Sequence, residues 1–449
     1  MQVHLEQQGF TLVSDPLAAR YIIVNTCAFI EAAVEESLDM ILELAVLERV
    51  KNGQTHLLVT GCLPSRYGEQ LVSQLPEVSA FVPVAEEGNI AQKLRELGAK
   101  QPDKVSQSDK RETLVTETES TCLAVDPKQP WAYVKISDGC SRRCAYCTIP
   151  QIRGPYQSYS FAQITAEVDR LTASGAKEII LIGQDTGIWC EPTPSGELEK
   201  EGVVGNAGGV PQTLAQLLDA LAGLYPDTWF RVMYLQPEGI SDTLLEVMAA
   251  HTNIARYFDI PLQHASAKVL TAMNRKGSGE EYLKLIQKIR GVVPNVVLRT
   301  TVMTGFPGEN QDDFDVLCDF LQQACFDYVG IFAYSCEENT PAAIMPEQVD
   351  VQTAFERVQV LRDVADSIGF AQAQRQVASE HALLVCGQDE EGIFGRTLGQ
   401  APEVDGLTYV TFNERMKEVQ LSESVPRLGR VVRVRIVDAV LYDLFAEVL

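Results

Sequence analysis

The middle of the chain repeats one unit, in which a short apolar run precedes an amphipathic helical pattern. The apolar, strand-like runs are Trp131–Ser137, Lys177–Gly183, Trp229–Leu235, Ala255–Leu262, Val296–Phe306 and Phe326–Tyr334. The helical patterns between them include Phe161–Ser174, Gln212–Leu224, Asp242–Ala250, Glu280–Ile289 and Asp312–Ala324. Such alternation predicts parallel strands joined by right-handed crossovers. Because six strands are too few for a closed eight-stranded barrel, we predict an α/β fold built on an open, partial (β/α)6 barrel.

Three cysteines follow the first of these strands, in the segment Cys140-Ser-Arg-Arg-Cys144-Ala-Tyr146-Cys147. Three soft thiolates on one short loop can hold an iron–sulfur cluster. They leave one iron of a four-iron cluster open to a small molecule, whereas a zinc site would usually need a fourth protein ligand. Ligands of such barrels bind at the carboxyl ends of the strands, which is where this loop lies in the sequence.

The CxxxCxxC spacing, with an aromatic residue before the last cysteine, resembles the signature of radical S-adenosylmethionine (SAM) enzymes. The resemblance implies that Cys140, Cys144 and Cys147 hold a 4Fe–4S cluster whose open iron binds SAM. It also implies that Tyr146 lies against the adenine of SAM. Enzymes of this superfamily cleave SAM reductively to methionine and a 5′-deoxyadenosyl radical.

Further SAM contacts are expected at the ends of two other strands. Gln184 lies in a glycine-containing turn after the second strand, and Gly305 lies in another after the fifth. Glycine lets a backbone approach a ligand closely, and both positions resemble SAM-contacting positions of the superfamily. Arg299, in the fifth strand, could pair with the SAM carboxylate or form an ordinary salt bridge inside the barrel.

Length and cysteine usage narrow the class of protein. A chain of 449 residues predicts about three domains, and it contains no run of about 18 apolar residues that would predict a membrane span. The amino-terminal sequence Met1-Gln-Val-His-Leu-Glu lacks the features of a signal peptide. Eleven cysteines without a disulfide-scaffold spacing suit a reducing cytosol with metal-bound thiolates. We therefore expect a cytoplasmic protein.

Two smaller blocks flank the predicted barrel. In the first, Tyr21–Cys27 and His56–Cys62 read as parallel strands that both end in cysteine, with a long helix over Glu31–Val50 between them. After a helical stretch at Val351–Ala378, short strands predict a small β-barrel or sandwich. We expect an α/β domain at 1–87, the barrel at 126–350, a helical linker at 351–378 and a β-domain at 379–449.

The whole chain resembles the methylthiotransferases of the radical SAM superfamily. Asn25-Thr-Cys27, Thr60-Gly-Cys62, the three-cysteine loop and the small β-domain, of the TRAM type, carry this resemblance. Several stretches resemble the RimO branch, namely 144–154, 257–266, 273–275 and 395–406. The resemblance implies a second 4Fe–4S cluster held by Cys27, Cys62 and a third cysteine, with SAM and an electron donor such as flavodoxin or ferredoxin. RimO enzymes attach a methylthio group to the β-carbon of an aspartate in small-subunit ribosomal protein uS12.

Two alternatives stay open at this point: a transfer-RNA methylthiotransferase of the MiaB type, and a non-catalytic iron–sulfur protein that binds ribosomal protein. The net charge of −24 argues against a large nucleic-acid surface and favours a basic partner, although acidity also aids solubility. Residues 381–449 hold eleven acidic and seven basic side chains, a net charge of −4. A transfer-RNA binder should present the opposite sign, so the charge favours the RimO reading.

One departure from the family concerns the second cluster. Its first cysteine belongs to a Gly-Cys loop, and Met1–Gly9 resembles the helix that follows that loop. We therefore expect that the sequence as given begins after this loop and lacks the strand before it. The loss of that strand would leave one edge of the N-terminal sheet unpaired. The alternatives are that Cys122 or an outside ligand provides the third ligand, or that the chain is defective in sulfur transfer. We interpret His264 as a hydrogen-bonded core residue, and we interpret the remaining cysteines as structural: Cys190, Cys318, Cys325, Cys336 and Cys386.

Overall fold

The computed structural model describes residues 1–99, 112–116, 129–192, 210–390, 392–411 and 427–449. These residues form two compact units. The N-terminal unit consists of the described residues of Met1–Ala124, with Gly139–Tyr156 and Ser335–Ala343. The core unit consists of the described residues of Val125–Asp138, Gln157–Tyr334 and Ile344–Leu449. The three-cysteine loop thus belongs to the N-terminal unit, although the sequence suggested one continuous domain over 126–350.

The core unit contains the six predicted parallel strands. Core strands 1 to 6 are Trp131–Lys135, Glu178–Ile182, Trp229–Val232, Tyr257–Gln263, Val297–Thr304 and Tyr328–Ala333. Strands 1, 2 and 3 form one parallel sheet and strands 4, 5 and 6 form another. A single bridge between Phe230 and Ile254 links the two sheets. This arrangement confirms the open, partial (β/α)6 barrel.

Helices cover the outer face of these strands: Phe161–Ala173, Leu214–Leu224, Asp242–Ala250, Ala267–Ala272, Gly279–Val292 and Gln311–Ala324. Most begin at a side chain that accepts a backbone N–H, as Ser160, Thr213 and Asn310 do. Such caps stabilise a helix by about 1 kcal/mol each. The apolar helix faces and the outward strand residues, among them Leu298 and Val302, form one buried cluster.

Shorter elements complete the turns of the chain. They are the strand pair Ser137–Asp138 and Gln157–Ser158, the helix Ile149–Arg153, and the 3-10 helices Thr186–Ile188, Pro237–Gly239 and Pro341–Ile344. Within the described residues, no helix is both long and apolar enough to cross a membrane.

Strand alternation gives the barrel a distinct inner face. In core strand 5, Leu298, Thr300 and Val302 are buried toward the helices, whereas Arg299 and Thr301 are half-buried on the opposite side. Inner-face residues of the strands form a second apolar cluster with Ala401 and Leu398 of the C-terminal β-domain. The β-domain therefore packs against the inner face of the barrel strands.

The β-domain is a closed five-stranded barrel, which decides between the predicted barrel and sandwich. Its strands, in spatial order, are Glu380–Gln388, Ile393–Thr397, Thr408–Thr411, Asp443–Val448 and Val431–Val440. The strand Asp443–Val448 is not predicted by the sequence pattern. The linker helix spans Val351–Gln374.

The N-terminal unit is built on a five-stranded parallel sheet. In spatial order its strands are Phe10–Leu12, Glu112–Thr116, Tyr21–Thr26, His56–Gly61 and Ala80–Pro83. Its helices are Gln2–Gln7, Glu31–Ala45, Glu48–Lys51, Cys62–Tyr67, Glu69–Gln74 and Ile90–Ala99, with 3-10 helices at Pro16–Ala18 and Val84–Asn89.

Two expectations for this unit are corrected. The long helix ends at Ala45, and a separate short helix follows it. Cys62 does not end its strand but begins a helix, because Gly61 turns the chain with a φ of 94°. The strand Glu112–Thr116, from a later part of the chain, lies between Phe10–Leu12 and Tyr21–Thr26 and pairs in parallel with both.

Asp327 provides a test of the core packing. Burial raises the pKa of its carboxyl to about 6, although the N–H of Leu298 donates to it at 2.8 Å. A carboxyl with a raised folded-state pKa favours folding most when protonated, and this stabilisation is lost as the pH rises through about 6. Asp327→Asn keeps an acceptor and removes the charge. Its melting temperature should exceed that of the wild type by a few degrees at about pH 8, and by less at about pH 5.

The exposed Asp227, changed to Asn, serves as the matched control. Equal melting curves for wild type and Asp327→Asn at both pH values would contradict a buried, raised-pKa carboxyl at this position.

Candidate functional site

The backbone of the three-cysteine loop is fixed at both ends. Gly139 has a φ of 71°, and a Cβ at this position would lie 2.3 Å from the Pro155 carbonyl oxygen, so only glycine fits. The N–H of Cys140 donates to the Gly154 carbonyl at 3.1 Å, and the N–H of Cys147 donates to the Cys144 carbonyl at 3.1 Å. These bonds close the loop on itself and set its course before any ligand is bound.

Contacts with the rest of the N-terminal unit hold the centre of the loop. Ala145 is buried, and its carbonyl accepts a hydrogen bond from the Ala342 N–H at 2.9 Å. The Thr148 hydroxyl donates to the Phe29 carbonyl at 3.2 Å. The three cysteines and Tyr146 are each partly exposed. The loop is thus a rigid support that carries accessible thiols.

The donor set fits an iron–sulfur cluster in residue type, spacing and backbone support. Three thiolates on one short, well-anchored loop are the ligands that such clusters take. Among the described residues, no group of three or more His, Cys, Asp or Glu side chains already has the arrangement of a metal site. The assignment of Cys140, Cys144 and Cys147 as cluster ligands therefore depends on the spacing and backbone support of the loop. It does not depend on thiols that already surround a metal position.

Cys27 and Cys62 each directly follow one of two neighbouring parallel strands, Tyr21–Thr26 and His56–Gly61. Thr26 pairs with Gly61 in the parallel register, so the next residue of each chain segment is a cysteine. Cys62 is buried and Cys27 is exposed. Burial raises the pKa of the Cys62 thiol, and Cys27 adds to this effect. The paired register places the two cysteines at the same edge of the sheet.

Arg153 connects the loop segment with Cys62. It ends the helix Ile149–Arg153, which follows the cysteine loop, and its Nη2 lies 3.9 Å from the Cys62 sulfur. The positive charge of Arg153 opposes the effect of burial on the Cys62 pKa. No sequence pattern assigns a role to Arg153. Its position in 144–154, a stretch that resembles the RimO branch, is the one indication that the sequence offers.

A buried ion pair holds the backbone beside Cys27. Arg66 Nη1 lies 2.8 Å from Glu337 Oε2, and each side chain is 4% exposed. The other Glu337 oxygen accepts the N–H of Glu31 at 2.9 Å, and Arg66 donates to the Ala28 carbonyl at 2.8 Å. The segment that carries Cys27 into its helix is thus tied to the short piece Ser335–Ala343.

Gln184 and Gly305, both in the core unit, differ in what they can offer a ligand. The Oε1 atom of Gln184 is buried and has no hydrogen-bond partner within the described residues, so it can accept a hydrogen bond from a bound molecule. The N–H of Gly305 is already donated to Glu309 at 2.9 Å. A Cβ at Gly305 would lie 2.5 Å from the Ala354 Cβ, so packing against the linker helix requires this glycine.

Arg299 forms the salt bridge that the sequence left as one of two alternatives. Its Nη1 donates to Asp259 Oδ1 at 2.8 Å, and its Nε lies 3.8 Å from Asp405 Oδ1. Its side chain is 14% exposed, on the strand face opposite the buried Leu298 and Thr300. A role in SAM binding would use this partly exposed side.

Glu309 organises the end of core strand 5. Its carboxylate accepts from the Thr304 hydroxyl at 2.7 Å and from Arg357 Nη1 at 2.7 Å. Burial raises the pKa of Glu309, but His264, Thr304 and Arg357 outweigh burial and lower it. His264 is fully buried and accepts the Ser266 N–H at Nδ1, at 3.0 Å. The prediction of a hydrogen-bonded core histidine is confirmed.

The structure therefore separates the predicted site residues into two groups. Cys27, Cys62, the three loop cysteines and Tyr146 belong to the N-terminal unit, whereas Gln184, Arg299 and Gly305 belong to the core unit. Cys122, the alternative third ligand of a second cluster, lies outside the described residues. Of the remaining cysteines, Cys336 is exposed and the others are partly buried: Cys190, Cys318, Cys325 and Cys386.

The buried pair beside Cys27 is open to direct measurement. Glu337→Gln leaves the Arg66 charge buried without its carboxylate, and it should lower the free energy of unfolding by about 2–4 kcal/mol. Glu338→Gln, at the adjacent exposed position, should change it by less than about 0.5 kcal/mol. Denaturant unfolding of both variants checks this, and equal stabilities would contradict a structural pair at this site.

Comparison with known proteins places the chain in a family. Residues 134–321 match the radical SAM superfamily, residues 1–83 the uncharacterized protein family UPF0004, and residues 379–449 the TRAM domain. Among solved structures, the radical S-adenosylmethionine methyltransferase TsrM from Kitasatospora setae aligns with 76% of this chain and 65% of its own length. That alignment has a TM-score of 0.49 at 13% sequence identity.

Relatives that carry the name ribosomal protein uS12 methylthiotransferase RimO match nearly the whole chain. The protein from Syntrophus aciditrophicus is 40% identical and covers 100% of this chain and 94% of the relative. Those from Clostridioides difficile and Geobacter sulfurreducens are 37% and 36% identical, each over 99% of this chain and 94% of the relative. The chain belongs to the RimO family of radical SAM methylthiotransferases.

Proposed function

We propose that this chain adds a methylthio group to the β-carbon of an aspartate in ribosomal protein uS12. Identity of 35–40% with RimO proteins over almost the entire chain carries this proposal. The reaction replaces an unactivated C–H bond with a C–S bond, which no protein acid or base makes accessible. A cofactor-based radical is therefore required, and the three-cysteine loop suits that requirement.

Cys140, Cys144 and Cys147 would hold the SAM-binding 4Fe–4S cluster. When bound, such a cluster binds SAM and supplies the electron for its reductive cleavage. The chain itself provides the fixed backbone at Gly139 and Ala145, which keeps the three thiols in one place. In the core unit, the unpaired Gln184 oxygen among the described residues offers an acceptor for a donor group of SAM.

Cys27 and Cys62 would provide two thiolates for a second 4Fe–4S cluster. Their neighbouring strands and the guanidinium of Arg153 beside Cys62 support this assignment, because a nearby cation favours the thiolate that binds metal. A third ligand would complete the set. Cys122 is a candidate by residue type, and a ligand from outside the chain is the alternative.

The substrate assignment agrees with the charge of the chain. Ribosomal proteins are basic, and a protein with a net charge of −24 attracts a basic partner at long range. A transfer-RNA substrate of the MiaB type would instead favour a basic C-terminal domain. An electron donor such as flavodoxin or ferredoxin would reduce the SAM cluster, and the cytoplasm would hold both partners.

Cys144→Ala tests the assignment of the SAM cluster. Loss of one of three ligands should abolish reductive SAM cleavage in anaerobic, reconstituted protein, measured as 5′-deoxyadenosine and methionine by chromatography. Cys318→Ala, on the helix Gln311–Ala324, is the matched control and should cleave SAM at the wild-type rate. Undiminished cleavage by Cys144→Ala would overturn the assignment of the loop.

A further inference from the structure

Tyr234 has a backbone conformation that is uncommon for an aromatic residue. It follows core strand 3, Trp229–Val232, and its φ is 63°, in the left-handed region. A bulky L-residue in this region is strained, at a cost of about 1–3 kcal/mol. Such strain persists only where the surrounding structure enforces it, and it is concentrated at functional sites.

Three hydrogen bonds enforce the conformation of Tyr234. Its N–H donates to Oδ2 of the buried Asp259 at 3.0 Å. Its carbonyl accepts from Thr186, from the N–H at 3.3 Å and from the hydroxyl at 3.1 Å. Thr186 lies in the turn after core strand 2 that also carries Gln184. Both polar groups of the Tyr234 backbone are thus held by neighbouring strands.

Burial of the Tyr234 side chain does not compensate for this strain. The side chain is 43% exposed, at the carboxyl side of a barrel strand, where ligands of such folds bind. Burial of the hydroxyl and the charges of Asp259 and Glu403 raise the pKa of Tyr234, while Arg299 opposes them. The phenol is therefore neutral near pH 7 and can donate a hydrogen bond.

Asp259 also links Tyr234 to Arg299, a partly exposed cation of the inner face. The same carboxylate holds the Tyr234 N–H on one oxygen and Arg299 on the other. Asp405 of the β-domain, fixed by the Tyr257 hydroxyl at 2.7 Å, lies 3.8 Å from Arg299 Nε. A phenol donor and a guanidinium fixed by one carboxylate are a suitable pair for a carboxylate ligand.

We propose that Tyr234 is a ligand-contacting residue of the barrel interior, whose phenol, together with Arg299, receives a carboxylate. This inference rests on the proposed function, in which two carboxylates enter the barrel: that of SAM and that of the substrate aspartate. The strain at Tyr234 presents the phenol to this ligand. The chemistry is the same for both sources, so kinetics must distinguish them.

Tyr234→Phe removes the hydroxyl and keeps the ring. In reconstituted full-length protein, the KM for the ligand that Tyr234 contacts should rise about tenfold, as expected for the loss of a hydrogen bond to a charged group. A rise in the KM of SAM cleavage without uS12 assigns the SAM carboxylate. A rise only in the KM for uS12 assigns the aspartate. Unchanged values of both would overturn the inference.

Tyr234→Gly tests the strain without any cofactor. Because glycine adopts the left-handed region freely, the melting temperature of cluster-free protein should be no lower than that of the wild type. A marked fall would show that Tyr234 serves packing, against the proposal. Glu347→Gly is the matched control, an exposed residue with a φ of 58°, and it should leave both KM values unchanged.

Measurements on the wild-type protein distinguish failure of the proposed function from failure of the role of Tyr234. Wild type that neither cleaves SAM nor modifies uS12 would contradict the proposed function. Active wild type with an equally active Tyr234→Phe variant would contradict only the role of Tyr234.

Discussion

The interior of the core unit depends on a buried cluster of three carboxylates and three guanidiniums. Glu178 Oε1 accepts from Arg231 at 2.8 Å, and Glu178 Oε2 lies 2.7 Å from Arg396 of the β-domain. Both arginines also donate to the Gln400 carbonyl at 3.0 Å. Buried charges are tolerated only when each is paired, so this cluster requires the β-domain and the barrel to fold against each other.

The remaining charged residues of the cluster connect the β-domain with the candidate site residues of the barrel. Arg231 lies over the Tyr257 ring, with its guanidinium carbon 4.6 Å from the ring centroid. Tyr257 donates to Asp405, and Arg299 lies between Asp405 and Asp259. Asp259 in turn fixes Tyr234. The β-domain is therefore part of the support of the barrel interior, in addition to any contact that it makes with a substrate.

Much of the architecture follows from sequence patterns of short range. The core strands and their helices obey periodicities of two and 3.6 residues, which burial on one face produces. The cysteine loop is contiguous, so its spacing alone indicates its chemistry. The end of the helix at Ala45 and the turn at Gly61 escaped prediction, because they depend on local backbone geometry that the apolar pattern does not encode.

The residues that the sequence did not predict are joined by contacts between distant parts of the chain. Tyr257 and Asp405 are 148 positions apart, and Arg153 is 91 positions from Cys62. Glu112–Thr116 joins the N-terminal sheet from a later segment. No periodicity relates such partners, so charge pairing and strand order become visible only in the fold.

The mass of uS12 after anaerobic reaction with the reconstituted chain, SAM and a reductant tests the central claim most directly. The account predicts a uS12 heavier by one methylthio group, with fragmentation that places it on the β-carbon of an aspartate, and unchanged transfer RNA in a parallel reaction. Methylthiolated transfer RNA with unmodified uS12 would contradict it. So would SAM cleavage that leaves both substrates unmodified.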